Sequence, residues 1–169
     1  LPALPPARDV PALGGRGQLK WSMKYFAYGS NMSSRRLRER VPSARPIGRA
    51  KLAGYSLAWH KIGRDGSGKC DVVEAGGGDH VWGVLYRMDP AERHLLDRAE
   101  DLGHGYEEKI VDVVVEGDEQ PVRAFTYRAL QIDSELRPFS WHKEHVLTDA
   151  REHELPKEYV AAIDAVKAK

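Results

Sequence analysis

Cysteine occurs once, at Cys70, so no internal disulfide can form and no spaced thiol pair offers a zinc site. That scarcity points to a reducing, cytoplasmic setting and gives secretion no support. No apolar run approaches the ~20 residues needed to span a bilayer, which excludes a transmembrane helix. Net charge is nearly absent as well: 26 Lys and Arg face 25 Asp and Glu, for +1. The chain therefore has none of the overall basic character of a nucleic-acid binder. There is no Gly-x-Ser-x-Gly elbow, and no Lys-Ser/Thr follows Gly76-Gly77-Gly78 to make a phosphate loop. The seven histidines are scattered, and the nearest pair on one predicted helix, His142 and His145, has no completing ligands, so no metal and no cofactor are expected.

What is present suits one domain. The 169 residues are 41% hydrophobic and 30% charged, the balance of a globular protein with a single core. Residues 1–22 hold four prolines and three glycines and are expected to be a disordered extension, an expression tag or a mis-assigned start. Met23 then opens the natural domain, 23–169. The charge is uneven within it. Residues 23–51 carry eight Lys or Arg against Glu39 alone, whereas residues 89–169 carry 11 basic and 19 acidic groups. Mutual neutralisation inside one fold is the simplest consequence.

Periodicity supplies the elements. Met23–Tyr28 reads as a buried aromatic strand ending at Gly29. A helix follows, capped by Ser33 or Ser34 and stopped by Pro42, with Leu37 and Val41 on its buried face and Arg35, Arg36, Arg38 and Arg40 solvated. Ala50–His60 and Asp71–Glu74 are expected strands around the Gly63–Gly68 turn, and Gly76–Gly78 is an expected hairpin turn before the strand His80–Met88. Asp89-Pro90-Ala91-Glu92 predicts a helix start with Asp89 as cap and Glu92 completing a capping box. Tyr106–Glu116 and Pro121–Leu130 pair as a hairpin about Gly117-Asp118, and two helices close the chain, from about Trp141 to Glu152 and after Pro156. The order predicts an α+β fold with a mixed, mostly antiparallel sheet curled into a small barrel and flanked by helices.

Two places can carry chemistry. Tyr28-Gly29-Ser30-Asn31 is a small polar turn from strand to helix, where backbone N–H groups can receive a carboxylate. Glu100 borders the apolar face of its helix in the last turn, next to Asp101. Burial, the negative helix end and its charged neighbour all disfavour its anion, which moves its pKa toward the range useful for proton transfer.

The string Tyr25-Phe26-Ala27-Tyr28-Gly29-Ser30-Asn31-Met32 resembles the glycine-turn signature of the γ-glutamylcyclotransferase family. Val81-Trp82-Gly83-Val84-Leu85-Tyr86, then Leu96-Asp97-x-x-Glu100, then Gly105-Tyr106 is similar to the family's strand, catalytic-helix and post-helix pattern. A third match is Ala150-Arg151-Glu152-His153-x-Leu155-Pro156-x-x-Tyr159, so the resemblance covers the body from Met23 onward. It implies an enzyme that releases 5-oxoproline from a small-molecule γ-glutamyl amino acid or amine, without a cofactor, and it is compatible with a homodimer. It also implies Glu100 as general acid and base, Tyr28, Gly29, Ser30 and Asn31 as the substrate-holding turn, and Tyr106 in the same cavity. Two positions depart from the pattern: Asp101 follows Glu100 where relatives commonly have glycine, and His142 stands where relatives often have a substrate-contacting tyrosine. The glutathione-degrading branch typically reads Tyr-Gly-Ser-Leu-Ile-Trp at the turn and fits less well. The alternative class is a non-catalytic binding module for a small carboxylate, which would use the turn and not Glu100. Binding of nucleic acid or membrane is not expected.

Overall fold

The computed structural model describes residues 22–169; the expectation for residues 1–22 falls, apart from Ser22, outside the described residues. Seven strands form: β1 (Met23–Ala27), β2 (Arg45–Ala53), β3 (Tyr55–Ile62), β4 (Gly68–Glu74), β5 (His80–Met88), β6 (Tyr106–Val115) and β7 (Val122–Ala129). Four helices flank them: α1 (Ser34–Arg40), α2 (Arg93–Ala99), α3 (Ser140–Glu152) and α4 (Lys157–Asp164). Five strands close into a barrel in the order β1-β5-β2-β6-β7, and β3-β4 form a separate two-stranded hairpin. The pairings are antiparallel except at closure, where β1 meets β7 in parallel at Tyr25 and Phe125. The fold is thus the expected α+β barrel with a mixed sheet. No helix among the described residues is long and apolar enough to cross a membrane.

Side-chain chemistry explains the closure. Phe26, Ala27, Val81, Val84, Leu85, Tyr86 and Val113 are fully or almost fully buried in the barrel, and removal of their apolar surface from water holds the strands together. Tyr25 stacks on Phe125 at a centroid separation of 5.1 Å and meets Tyr127 edge-on at 5.8 Å, so aromatic contacts seal the β1–β7 seam.

Several local expectations are corrected. Ala50–His60 is not one strand: Gly54, at φ 83°, turns the chain and separates β2 from β3. Gly76–Gly78 is not a hairpin turn, because β4 pairs with β3 whereas β5 pairs with β1 and β2; the glycines carry the chain from the hairpin to the barrel. Asp89 does cap the start of α2's leading turn by accepting from the Ala91 N–H, but Glu92 completes no capping box. Its carboxylate accepts instead from the Ser43 N–H at 2.9 Å, while Ser43 Oγ accepts from the Asp89 N–H, which ties the segment after α1 to the segment before α2. These bonds hold α1 and α2 side by side at one end of the barrel.

The hairpin lies over the barrel mouth. Asp71 accepts from the Ala129 N–H at 2.8 Å, the Ile62 N–H donates to the Gln131 carbonyl, and the Gly68 N–H donates to the Arg137 carbonyl. The Tyr106 hydroxyl donates to the Cys70 carbonyl at 2.8 Å. The hairpin is therefore a fixed wall, and the space beneath it is the site.

Candidate active site

A cavity of about 880 Å³ opens between the barrel mouth, the hairpin and α3. Tyr28, Gly29, Ser30, Asn31, Glu100, Tyr106 and His142, the seven residues singled out from sequence, all line it. They arrive from four places in the chain: the turn after β1, the end of α2, the start of β6 and the first turn of α3.

The turn after β1 is a short 3-10 segment, Ser30–Met32, whose Met32 N–H donates to the Gly29 carbonyl at 3.0 Å. A Cβ on residue 29 would stand 3.2 Å from Cys70 Cβ, so the absence of a side chain lets the turn lie against β4. Ser33 caps α1, its hydroxyl accepting from the Arg36 N–H. Cys70 is buried, and burial pushes its thiol up, which leaves it inert as a nucleophile.

Glu100 is the residue that ends α2, its N–H still donating to the Leu96 carbonyl at 2.9 Å. Its side chain is 17% exposed. Oε2 accepts from Asn31 Nδ2 at 3.2 Å and lies 3.5 Å from Arg40 Nη1. The same Asn31 amide nitrogen donates to the Tyr25 hydroxyl at 3.0 Å, and Asn31 Oδ1 accepts from Arg40 at 2.9 Å. Both ends of the Asn31 amide are thereby fixed, with its N–H₂ turned toward Glu100. Burial raises the Glu100 pKa above the ordinary glutamate value, and Arg40, Asn31 and Lys61 partly offset that rise. The result is a carboxylate that can hold a proton more readily than a free glutamate and still ionise.

Arg36 and Arg40 correct the expectation of a solvated arginine face. Only Arg35 and Arg38 are exposed. Arg36 donates to the Ser30 carbonyl at 2.6 Å and to Asp149 on α3 at 3.2 Å, while Arg40 reaches Asn31 and Glu100. The basic segment and the acidic half do meet, through these two pairs and through Arg49 and Glu116. Asp149 is itself pushed up to about 6, because desolvation outweighs the help of Arg36.

His142 is buried on the α3 side of the cavity, edge-on to Trp59 and Trp141. Desolvation first, with Lys69 nearby, lowers its pKa to about 4, so at neutral pH it is an uncharged imidazole. Its Nε2 has no hydrogen-bond partner. Among the described residues, no group of three or more His, Cys, Asp or Glu is arranged to hold a metal ion.

Sequence reasoning missed Tyr25, Arg36, Arg40 and Tyr127, all of which line the cavity. The two arginines had a readable signal, since a spacing of four places them on one helix face. Tyr127 had none: residues 124–127 are buried without alternation, because both faces of β7 are covered.

Residues 25–145 match the family model described as "Gamma-glutamyl cyclotransferase, AIG2-like". The chain belongs to that family. The curated bovine γ-glutamylcyclotransferase is 28% identical over 156 residues, covering 90% of this chain and 82% of the bovine one. The human enzyme of the same name is 28% identical over 150 residues, covering 86% and 79%. A solved structure titled "Gamma-glutamyl cyclotransferase" superposes with a TM-score of 0.82 at 26% identity, over 88% of this chain and 89% of that one. A yeast structure titled as a γ-glutamyl cyclotransferase specific to glutathione shares the fold at a TM-score of 0.63 and 11% identity, covering 84% of this chain and 93% of the yeast one. The chain is accordingly an enzyme of the γ-glutamylcyclotransferase family.

Proposed function

We propose that this protein converts a γ-glutamyl amino acid or amine to 5-oxoproline and the free amine, with Glu100 as the general acid and base. The observation that carries the reading is the Glu100 carboxylate, mostly buried in the cavity wall and hydrogen-bonded to Asn31 of the glycine turn. The substrate's α-ammonium gives a proton to Glu100, and the freed lone pair attacks the γ-carbonyl carbon. A five-membered ring closes, and the carbonyl oxygen takes up negative charge. The γ-amide C–N bond then breaks as the leaving nitrogen takes the proton back from Glu100, and the freed carboxylate removes the extra proton still on the ring nitrogen and passes it to the amine, which departs as an ammonium and leaves Glu100 ionised. One group of raised pKa serves all of these transfers.

The turn Tyr28-Gly29-Ser30-Asn31 holds the substrate carboxylate and steadies the developing oxyanion, while Tyr106 and His142 line the remaining surface. Because nucleophile and electrophile belong to one molecule, the cavity acts mainly by folding the glutamyl chain into the attacking conformation. A panel of γ-glutamyl amino acids, γ-glutamyl amines and glutathione, assayed for 5-oxoproline, tests the reading. Release is expected from the amino-acid or amine derivatives, with glutathione the poorer substrate. If none of the panel yields 5-oxoproline, the reading is wrong.

A further inference from the structure

The β3–β4 hairpin brings three cations to the cavity, Lys61, Arg64 and Lys69. Two have carboxylate partners: Arg64 pairs with Asp101 at 3.8 Å and Lys69 with Asp65 at 3.2 Å. Lys61 differs. Its ammonium lies 4.9 Å above the centre of the Tyr106 ring, and among the described residues no carboxylate lies within ion-pairing distance of it. Glu100 is held by Asn31 and Arg40, and Asp101 is shared between Arg64 and His104. Half-burial of this ammonium lowers the Lys61 pKa, and Glu100 and Asp101, both beyond ion-pairing distance, offset only part of that drop. An aromatic face offsets only part of the desolvation cost.

A Cβ on residue 105 would stand 3.0 Å from Lys61 Nζ and 3.2 Å from Cε, so the glycine leaves room for the ammonium against the cavity wall and a side chain there would push it aside by a few tenths of an ångström. The glycine turn, Glu100 and Lys61 line the same cavity. With the glutamyl carboxylate assigned above to the turn, the second carboxylate of a γ-glutamyl amino acid is the one left for Lys61.

We infer that Lys61 is the specificity-determining residue for the leaving half of the substrate, pairing with the carboxylate of a departing amino acid. The inference rests on the cyclotransferase reading above and sharpens it: the preferred leaving group is an amino acid, not a simple amine. Trp141 lines the same cavity and is half exposed, which leaves room for an apolar side chain on that amino acid, but the discriminating contact is the charge.

The test compares γ-glutamylalanine with γ-glutamylethylamine, which is the same compound without the leaving-group carboxylate. A charge-assisted pair predicts a kcat/KM ratio of roughly 10 to 100 in favour of γ-glutamylalanine in the wild type. In Lys61→Met the ratio should fall to within about threefold, and Lys61→Arg should restore most of it. Gly105→Ala, which displaces the ammonium without removing it, should give an intermediate ratio. Binding of both compounds to Glu100→Gln, measured by calorimetry, reads the same preference without turnover, so a failure of the proposed chemistry is distinguishable from a failure of this inference. A ratio near one in the wild type, or an unchanged ratio in Lys61→Met by either readout, overturns the assignment.

Discussion

Asn31 Nδ2 lies 3.2 Å from Glu100 Oε2, although 69 positions separate the two residues in the chain. The contact joins the glycine turn to the end of α2, and Arg40 fixes it by bonding the other end of the Asn31 amide. It follows that Glu100→Gln, which keeps the shape and the hydrogen-bonding capacity but cannot take a proton, should lower 5-oxoproline release by roughly 10²- to 10⁴-fold. Its thermal midpoint should equal or exceed that of the wild type, because a desolvated carboxylate has been removed. A variant as active as the wild type would sink the assignment.

Arg40 lowers the pKa of Glu100, which burial raises. The proton acceptor must be ionised in the free enzyme, so kcat/KM should fall as pH drops through the raised Glu100 pKa. Arg40→Met removes the opposing charge and should move this acid limb to higher pH. The measurement is a pH–rate profile of both proteins with one substrate. Superimposable acid limbs would mean that Glu100 does not control them.

Asp149 offers a stability prediction with a definite sign. Its folded-state pKa, about 6, lies above the ordinary value of 3.8, so the folded state binds its proton more tightly than the unfolded state does. The stabilisation this gives is complete below about pH 4 and is lost as pH rises to about 6, by at most about 3 kcal/mol. Thermal midpoints across pH 4 to 7 should therefore fall more steeply for the wild type than for Asp149→Asn over the same interval. Parallel curves for the two proteins would contradict this.

His142 Nε2 is buried without a hydrogen-bond partner, and desolvation holds the imidazole neutral with a pKa near 4. His142→Phe keeps a ring against Trp59 and Trp141 and removes the orphaned polar atom, so its thermal midpoint should equal or exceed that of the wild type between pH 6 and pH 8. A lower midpoint would mean that the imidazole makes a bond that stabilises the fold.

Gly83 tests the barrel. A Cβ there would lie 2.3 Å from the Ala27 carbonyl oxygen and 2.9 Å from the Phe26 ring, both in β1. Neither the backbone nor the buried ring can give way, so Gly83→Ala should destabilise the protein by about 2–3 kcal/mol or more. Chemical denaturation reads this directly, and a midpoint unchanged from wild type would show that β1 and β5 can part enough to admit a methyl group.

The local expectations that failed share a cause. Glu92, three positions after Asp89, has the spacing of a capping box, yet it accepts from Ser43, a residue 49 positions away. Arg36 and Arg40 look like a solvated face because an isolated helix would leave them so, and only the position of Asp149 and Glu100 across the fold turns them inward. Gly76–Gly78 has the composition of a hairpin turn, and composition does not say which strands pair on either side. Each case is a non-local partner outcompeting a local rule.

By itself the sequence determined the helix and strand periods, the glycine turn and the placement of one carboxylate at the edge of an apolar helix face, because each depends on residues within a few positions of one another. It also determined the family likeness, through three ordered motifs. Only the tertiary structure decided what surrounds Glu100. Closure of β1 against β5 and β7, and the packing of α1 beside α2, bring Tyr25, Asn31, Arg40 and Lys61 around one carboxylate. Its pKa is set by desolvation and by charges contributed from distant segments, and those are properties of the assembled cavity.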